Sequence, residues 1–379
     1  MSVGQAWRWL NGQAGWVFLA GLGAVVLVNA RRWSQDRARA LHLRERQGPP
    51  ATLRTTPKVS VLVAAWDEAG IIRQHIESFR QLRYPAKELI LCAGGPDDTY
   101  ALARSYAGPQ VTVLEQRPGD GKQGALQRCL ERASGEVIFL TDADSLYDEQ
   151  AFERTLAPVI NGEAAVATGT FQPFPCQRAN RFVLHRWFTK LYSEAGWGRY
   201  ADGLVGANTA LRRDVLEAIG GFTAEVKTGT DYHMAKKLRH HGYPIRYVPD
   251  SVVSTAYAET VANYWTQQAR WLRNVVMHGL RFGAYGEVAR CLLPSFLGLG
   301  MLAGLPIGLV LGPVGVAAWA LGWVFVLVSR VRYMRFGTLL TGYPFGTGYL
   351  WLPFYIALDF GVWALTALQY LFREGRSRW

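Results

Sequence analysis

The stretch best equipped for chemistry is Val137-Ile-Phe-Leu-Thr-Asp-Ala-Asp144, a short apolar run ending in carboxylates one residue apart. Holding Asp142 and Asp144 together is costly unless they share a cation. At the carboxyl end of a strand in an α/β sheet, such a pair suits Mg²⁺ or Mn²⁺ bound to phosphate oxygens. An isolated pair is more often an Asp-rich turn, so its neighbours must decide. Pro118–Gly124 contains Gly-Asp-Gly-Lys-Gln-Gly, formally a dinucleotide loop. A dinucleotide fold places that loop after its first strand, and here it follows the third apolar run. Two readings stay open: a glycine-loosened loop setting the Lys122 ammonium against a diphosphate, and a turn with a solvated lysine. No Ser-His-Asp or Cys-His arrangement offers a nucleophile.

The elements that must position these groups follow from apolar patterning. Val59–Trp66, the segment from Glu88 to Ala93, Val111–Gln116 and the run before Asp142 each read as buried strands, with helical stretches between them. This alternation predicts an α/β fold, a mostly parallel sheet with helices on both faces. Beyond Asp144, Ala164–Gly169 and Tyr243–Ser254 read as strands, Tyr232–His240 and Glu259–Arg281 as helices. The basic, aromatic segment Cys176–Tyr200 reads equally as an interfacial helix or a solvated one.

The chain has 379 residues, enough for one large or two ordinary domains. Its net charge of +12 invites a nucleic-acid partner, but the distribution argues against one. Arginines crowd beside apolar stretches: Arg31, Arg32, Arg37, Arg39, Arg44 and Arg46 after Ala14–Ala30, then Arg330, Arg332 and Arg335. Cytoplasmic flanks facing anionic membrane lipids carry this pattern. Ala14–Ala30 is expected to anchor the chain rather than be cleaved as a signal peptide, and Arg31–Pro50 to be a charged linker. Cys291–Gly312, Pro313–Ser329 and Leu350–Phe372 read as further spans, with Asp359 packed inward inside the last. The expected division is residues 1–50 anchor and linker, 51–256 catalytic domain, 257–290 membrane-interface helices and 291–379 carboxyl-terminal spans. Cys92, Cys129, Cys176 and Cys291 are too scattered for a disulfide framework or a zinc site.

Taken in order, Gly121-Lys-x-Gly-Ala-Leu126, Thr141-Asp-Ala-Asp-Ser145, the Gly-Ala-Asn loop at Gly206–Asn208 followed by Gly-Gly-Phe222, Gly229-Thr-Asp231 and Gln267-x-x-Arg-Trp271 form a set. From about Lys58 to Arg273 the chain resembles the membrane-integrated, inverting glycosyltransferases of the cellulose synthase, hyaluronan synthase and ceramide glucosyltransferase kind. That resemblance implies a GT-A fold flanked by transmembrane and interfacial helices. It also implies a role for each matching residue. Asp142 and Asp144 would hold the metal and the donor diphosphate, and Lys122 would lie beside the nucleotide. Asp231 would be the general base. Gln267, Arg270 and Trp271 would form the box that holds the diphosphate and offers an aromatic face to the acceptor. Gly206, Ala207 and Asn208 would line the donor sugar and acceptor.

Two departures bear on the donor. The resemblance implies a UDP-sugar as donor, but Cys92 and Ala93 stand where the family has an aspartate pair that reads uracil, which weakens that expectation and leaves the base open. Asp67 and Glu68 are candidates for base or ribose contacts, against the alternative of surface acids in a turn. Thr230 replaces the glutamate expected before Asp231. His233 reads more readily as a polar helix residue than as a further ligand. The expected activity is transfer of one sugar to a membrane-embedded lipid or glycan acceptor at the cytosolic face of a bacterial plasma membrane. The alternative is a processive synthase that extends and exports a polysaccharide.

Overall fold

The structure is a computed structural model and describes residues 4, 5, 8, 12–45, 51–223, 226 and 228–371. Helix α1 (Gln13–Glu45) contains the Ala14–Ala30 stretch and continues through the arginines beyond it. At 33 residues it is about 50 Å long. The expected linker is therefore helical as far as Glu45; residues 46–50 lie outside the described residues.

A sheet follows, built by β1 (Val59–Trp66), α2 (Ile72–Gln81), β2 (Lys87–Gly94), α3 (Thr99–Arg104), β3 (Val111–Glu115), α4 (Gly121–Arg132) and β4 (Val137–Leu140). Strands β3, β2, β1 and β4 lie side by side in parallel, as alternation with helices requires. Next come β5 (Ser145–Leu146), α5 (Glu149–Ile160), β6 (Val166–Pro173) and α6 (Arg181–Glu194). Then β7 (Thr209–Arg212), α7 (Arg213–Ala218), α8 (Thr230–His240) and β8 (Ile245–Thr255) complete the domain. Among the described residues the sheet has eight strands in the order β3-β2-β1-β4-β7-β6-β8-β5. Strand β7 runs antiparallel to both β4 and β6, so the sheet is mixed beyond β4. Its faces bury separate cores, one around Val61, Phe139 and Phe152, the other around Leu62, Ile138 and Leu211. Burial on both faces is what the unbroken apolar runs of β1 and β4 dictate.

Helix α9 (Val261–Arg281) leads to α10 (Tyr285–Val310), α11 (Pro313–Thr341) and α12 (Leu352–Leu371). Among the described residues, three segments are long and apolar enough to cross a membrane: Tyr285–Val310, Pro313–Thr341 and Gly346–Gln369. Gly312, at φ +78°, turns α10 into α11 just before Pro313. Helix α1 packs along α11 in the same direction, since Gly21 meets Leu321, Asp36 pairs with Arg332 and Arg44 donates to the Leu339 carbonyl. The segment expected as an interfacial or solvated helix is α6, which buries Phe182, Trp187 and Phe188 with Met334 and Tyr355 of the apolar helices and Phe345 of the connection between them. Asp359 is packed inward, with Arg330 at 3.1 Å and Arg186 at 3.6 Å.

Candidate active site

The site lies at the carboxyl ends of the parallel strands, where an open α/β sheet leaves a crevice. Strand β4 delivers Asp142 and Asp144, and the first turn of α4 delivers Lys122. Asp231 is the second residue of α8. The Lys122 ammonium lies 2.5 Å from Asp142 Oδ1 and 3.7 Å from Asp231 Oδ1. Burial would lower the Lys122 pKa, but Asp142 and Asp231 raise it, so the lysine stays charged. Leu126, Leu140, Leu204, Phe222 and Met234 wall the narrow cleft around these groups. Its roughly 10 Å³ of free space is about one water's worth.

Carboxylates outnumber cations here, and their charge accumulates. Burial and then Asp142 push Asp144 up to about 6. Glu68 is pushed up to about 7, by burial first and then by Asp144 and Asp142. Asp231 is raised by burial, opposed by Lys122 and Arg270 and reinforced by Asp142. Among the described residues no group of three or more His, Cys, Asp or Glu side chains forms a ready cage for a metal ion. Asp142 and Asp144 still fit Mg²⁺ or Mn²⁺. They are hard oxygen donors with excess negative charge, and such ions commonly complete their coordination with phosphate oxygens and water.

Local structure explains why each group stays in place. Gly206 lies directly against the base candidate: a Cβ there would fall 2.2 Å from Asp231 Oδ1. Gly229, which precedes α8, sits at φ +72° and touches Asn274 and His278 of α9. Thr228 Oγ1 donates to Asn274 Oδ1 at 2.6 Å, and His278 Nε2 donates to the Thr228 carbonyl at 2.9 Å. Helix α9 thus grips the turn carrying Asp231. From the other side, Tyr232 and Lys236 of α8 donate to Glu287 in the first turn of α10. In α4, Gln123 and Gln127 accept from the backbone of Thr223 and Phe222, fixing the Phe222 wall. Asp67 and Glu68 follow β1. Asp67 is held at φ +64°, a conformation few non-glycine residues adopt. Their turn is tied down by Asp97, which accepts from Ala69 N and from Thr99.

The expected residues divide. Lys122, Asp142 and Asp231 converge directly, while Asp144, Glu68 and Arg270 join them electrostatically. Gln267, Arg270 and Trp271 are exposed on α9, and the Trp271 ring lies tilted against Trp363 of α12, centroids 5.7 Å apart. Asn208 does not join them, which corrects its expected place at the acceptor. It is wholly buried: Nδ2 donates to the Thr170 and Ser251 carbonyls, and Oδ1 accepts from Thr155. A carboxamide satisfied on both sides within the sheet has nothing left for a sugar. His233 is buried against His278 and Phe282, and burial lowers its pKa to about 4. Cys92 and Ala93 are buried in β2. Asn274, His278 and Glu287 escaped sequence reasoning. Asn274 and His278 continue the helical stripe of Gln267 and Trp271, a spacing that could have flagged them.

Residues 57–274 match the family described as "Glycosyltransferase like family 2". A probable glycosyltransferase of Bacillus subtilis, YdaM, is 26% identical over 58% of this chain and 56% of its own. The poly-β-1,6-N-acetyl-D-glucosamine synthase of Staphylococcus epidermidis is 25% identical over 56% of this chain and 53% of its own. The β-monoglucosyldiacylglycerol synthase of Trichormus variabilis is 26% identical over 68% of this chain and 56% of its own. The chain spans about half the length of these curated relatives. Among solved structures, the mannosyltransferase PcManGT of Pyrobaculum calidifontis, in complex with GDP-Man and Mn²⁺, superposes with a TM-score of 0.58 at 19% identity. That match covers 95% of this chain and 98% of the other. This likeness establishes the GT-A fold. With its family match running from just before β1 to the middle of α9, the chain belongs to the glycosyltransferase like family 2.

Proposed function

We propose that this chain is an inverting glycosyltransferase that moves one sugar from a nucleotide donor to a lipid or lipid-linked acceptor. The observation that carries the reading is the convergence of Lys122, Asp142 and Asp231 in one cleft. The helix gripping the base turn also sets Trp271 against a membrane-type helix. Asp231 takes the proton from the acceptor hydroxyl as its oxygen attacks the anomeric carbon from the far side. The bond from that carbon to the diphosphate oxygen breaks, and the electron pair leaves with the nucleoside diphosphate. Lys122 and Arg270 offset the charge gathering there. Asp142 and Asp144 would hold a divalent cation, which when bound neutralises diphosphate charge as a Lewis acid. In this reading Trp271 and Gln267 meet the acceptor, and Asp67 and Glu68 contact ribose or base.

The arginine flanks and the three apolar helices support an integral protein of the bacterial plasma membrane with its sheet domain in the cytoplasm. The similarity to a glucosyldiacylglycerol synthase favours a lipid acceptor. The similarity to a poly-N-acetylglucosamine synthase favours a second reading, processive synthesis. The deciding experiment incubates the full chain in lipid nanodiscs with UDP- and GDP-sugars and Mg²⁺ or Mn²⁺. Nucleotide release and product length are then read together. One donor giving singly glycosylated lipid supports the proposal; a ladder of long chains supports the second reading. No release with any nucleotide sugar would overturn both.

A further inference from the structure

Away from the cleft, a cavity of about 430 Å³ opens between α1, α6 and α11, lined by Arg32, Gln35, Asp36, Arg39, Tyr192, Arg332 and Tyr333. Arg32, Gln35, Asp36 and Arg39 fall at positions i, i+3, i+4 and i+7 of α1, one face of that helix. The floor is a satisfied network. Arg332, 3% exposed, donates to Asp36 at 2.6 Å, to Tyr192 at 2.8 Å and to Asn29 at 3.3 Å. Tyr192 stacks on Tyr333 at 3.9 Å. Among the described residues Asp36 is the one acid lining the cavity, and Arg332 uses its charge. The rim is different: Arg32 and Arg39 are exposed and have no ion pair or hydrogen bond among the described residues. The cavity therefore carries uncompensated positive charge, and it is polar, roomy and open.

Its depth says what sort of anion reaches it. On α1 the apolar stretch ends at Ala30, so Arg32 and Arg39 stand roughly 3 and 14 Å beyond it at the helical rise. The parallel helix α11 passes from Val328 and Ser329 to Arg330 and Arg332 at the same level. A headgroup layer several ångströms thick lies just outside the hydrocarbon core, and basic pockets between spanning helices at that depth suit lipid headgroups.

We infer that the Arg32–Arg39–Arg332 cavity is a binding site for the phosphate of an anionic membrane lipid, separate from the sugar-transfer cleft. Arg32 and Arg39 contact the phosphate oxygens, Gln35 and the tyrosines meet the remaining polar atoms of the headgroup, and the lipid pins α1 to α6 and α11. This inference rests on the reading that α1, α10, α11 and α12 lie in a bilayer.

The test uses the full chain in nanodiscs of phosphatidylcholine with one-fifth phosphatidylglycerol, followed by native mass spectrometry of retained lipid. The wild type should retain phosphatidylglycerol over phosphatidylcholine roughly 30-fold beyond its share, two arginines' worth of attraction. R32Q/R39Q should lose that preference while R31Q/R37Q, with the same charge change elsewhere on α1, keeps it. Melting should rise with phosphatidylglycerol in the wild type and in R31Q/R37Q only. Inorganic phosphate separates the two sources of the anion: failure to displace the lipid supports a headgroup site, and displacement at millimolar phosphate would make it a soluble-phosphate site and overturn the lipid assignment. Equal retention by both double variants would overturn the site and leave a diffuse basic surface. A chain that does not enter the bilayer would refute the membrane reading instead, whereas entry without headgroup preference would refute only the site.

Discussion

Helix α9 reaches two clusters of charge that are built on opposite plans. At one, Tyr264 donates to Asp359, which Arg330 and Arg186 flank, and these partners are all largely buried. Every charge there has an opposite neighbour. At the other, Arg270 lies within electrostatic reach of Asp231 in a cleft where Asp142 raises the proton affinity of Asp144, and both raise that of Glu68. The first cluster satisfies itself and so serves packing. The second has an excess of one sign, a standing attraction for cationic and hydrogen-bonding ligands that structure alone does not explain. A carboxylate in a cleft points to function when no opposite charge stands beside it.

The largest test of that contrast is Asp231→Asn. Transfer should fall by about 10³-fold while donor binding persists, measured by single-turnover sugar transfer beside nucleotide titration. Normal transfer by this variant would remove Asp231 from the role of base. Asp144→Ala should abolish metal-dependent nucleotide binding, read as loss of the difference between Mn²⁺ and chelator; an unchanged difference would end its metal role.

Asp359→Leu probes the paired cluster, in which one carboxylate serves two arginines. Stranding Arg330 and Arg186 should destabilise the fold by about 3–5 kcal/mol, seen as an earlier melt, and adding Arg330→Met should recover much of it. The folded fraction should transfer sugar at the normal rate. If activity fell while the melt held, the cluster would be functional after all.

Smaller effects sharpen the picture. Asn274→Ala leaves the Thr228 hydroxyl without its acceptor. A loss of about 1–2 kcal/mol at the base turn should lower kcat roughly 10-fold with the donor KM unchanged. Glu88 reports on the sheet alone. Burial would raise its pKa, but hydrogen bonds from Ser60, Lys58 and Ser134 hold it at about 2. A depressed carboxyl contributes stability that is full above its ordinary pKa near 4.5 and drains as pH falls towards 2. The melting gap between wild type and Glu88→Gln should therefore narrow with acidification below about pH 4.5, and a constant gap would contradict this account.

Much of this was legible in the sequence because chemistry and position coincide there. Apolar runs that end in Asp142 or Trp66 declare both a buried strand and its mouth. Lys122 and Asp231 could be named, although they stand 109 positions apart in the chain. Strand β7 was not legible: the Thr209–Arg212 segment is too short to show a period, and it acquires strand character from β4 and β6 on either side. Asn208 misled for a related reason, since a short motif does not say which way a carboxamide points. The helical run past Arg31 was hidden by its charge. Ala, Leu, Arg and Glu are good helix formers, and Arg332 on α11 supplies the partner that holds Asp36.

Helix α9 has one more consequence. Its 21 residues make a rod of about 30 Å, resting through Trp271 on Trp363 of α12 and holding the Asp231 turn through Asn274 and His278. Bilayers that mismatch a spanning helix change its tilt. On the proposed reading, a tilt of α12 would be carried along this rod to Asp231, and acyl-chain length would become a variable of the transfer rate.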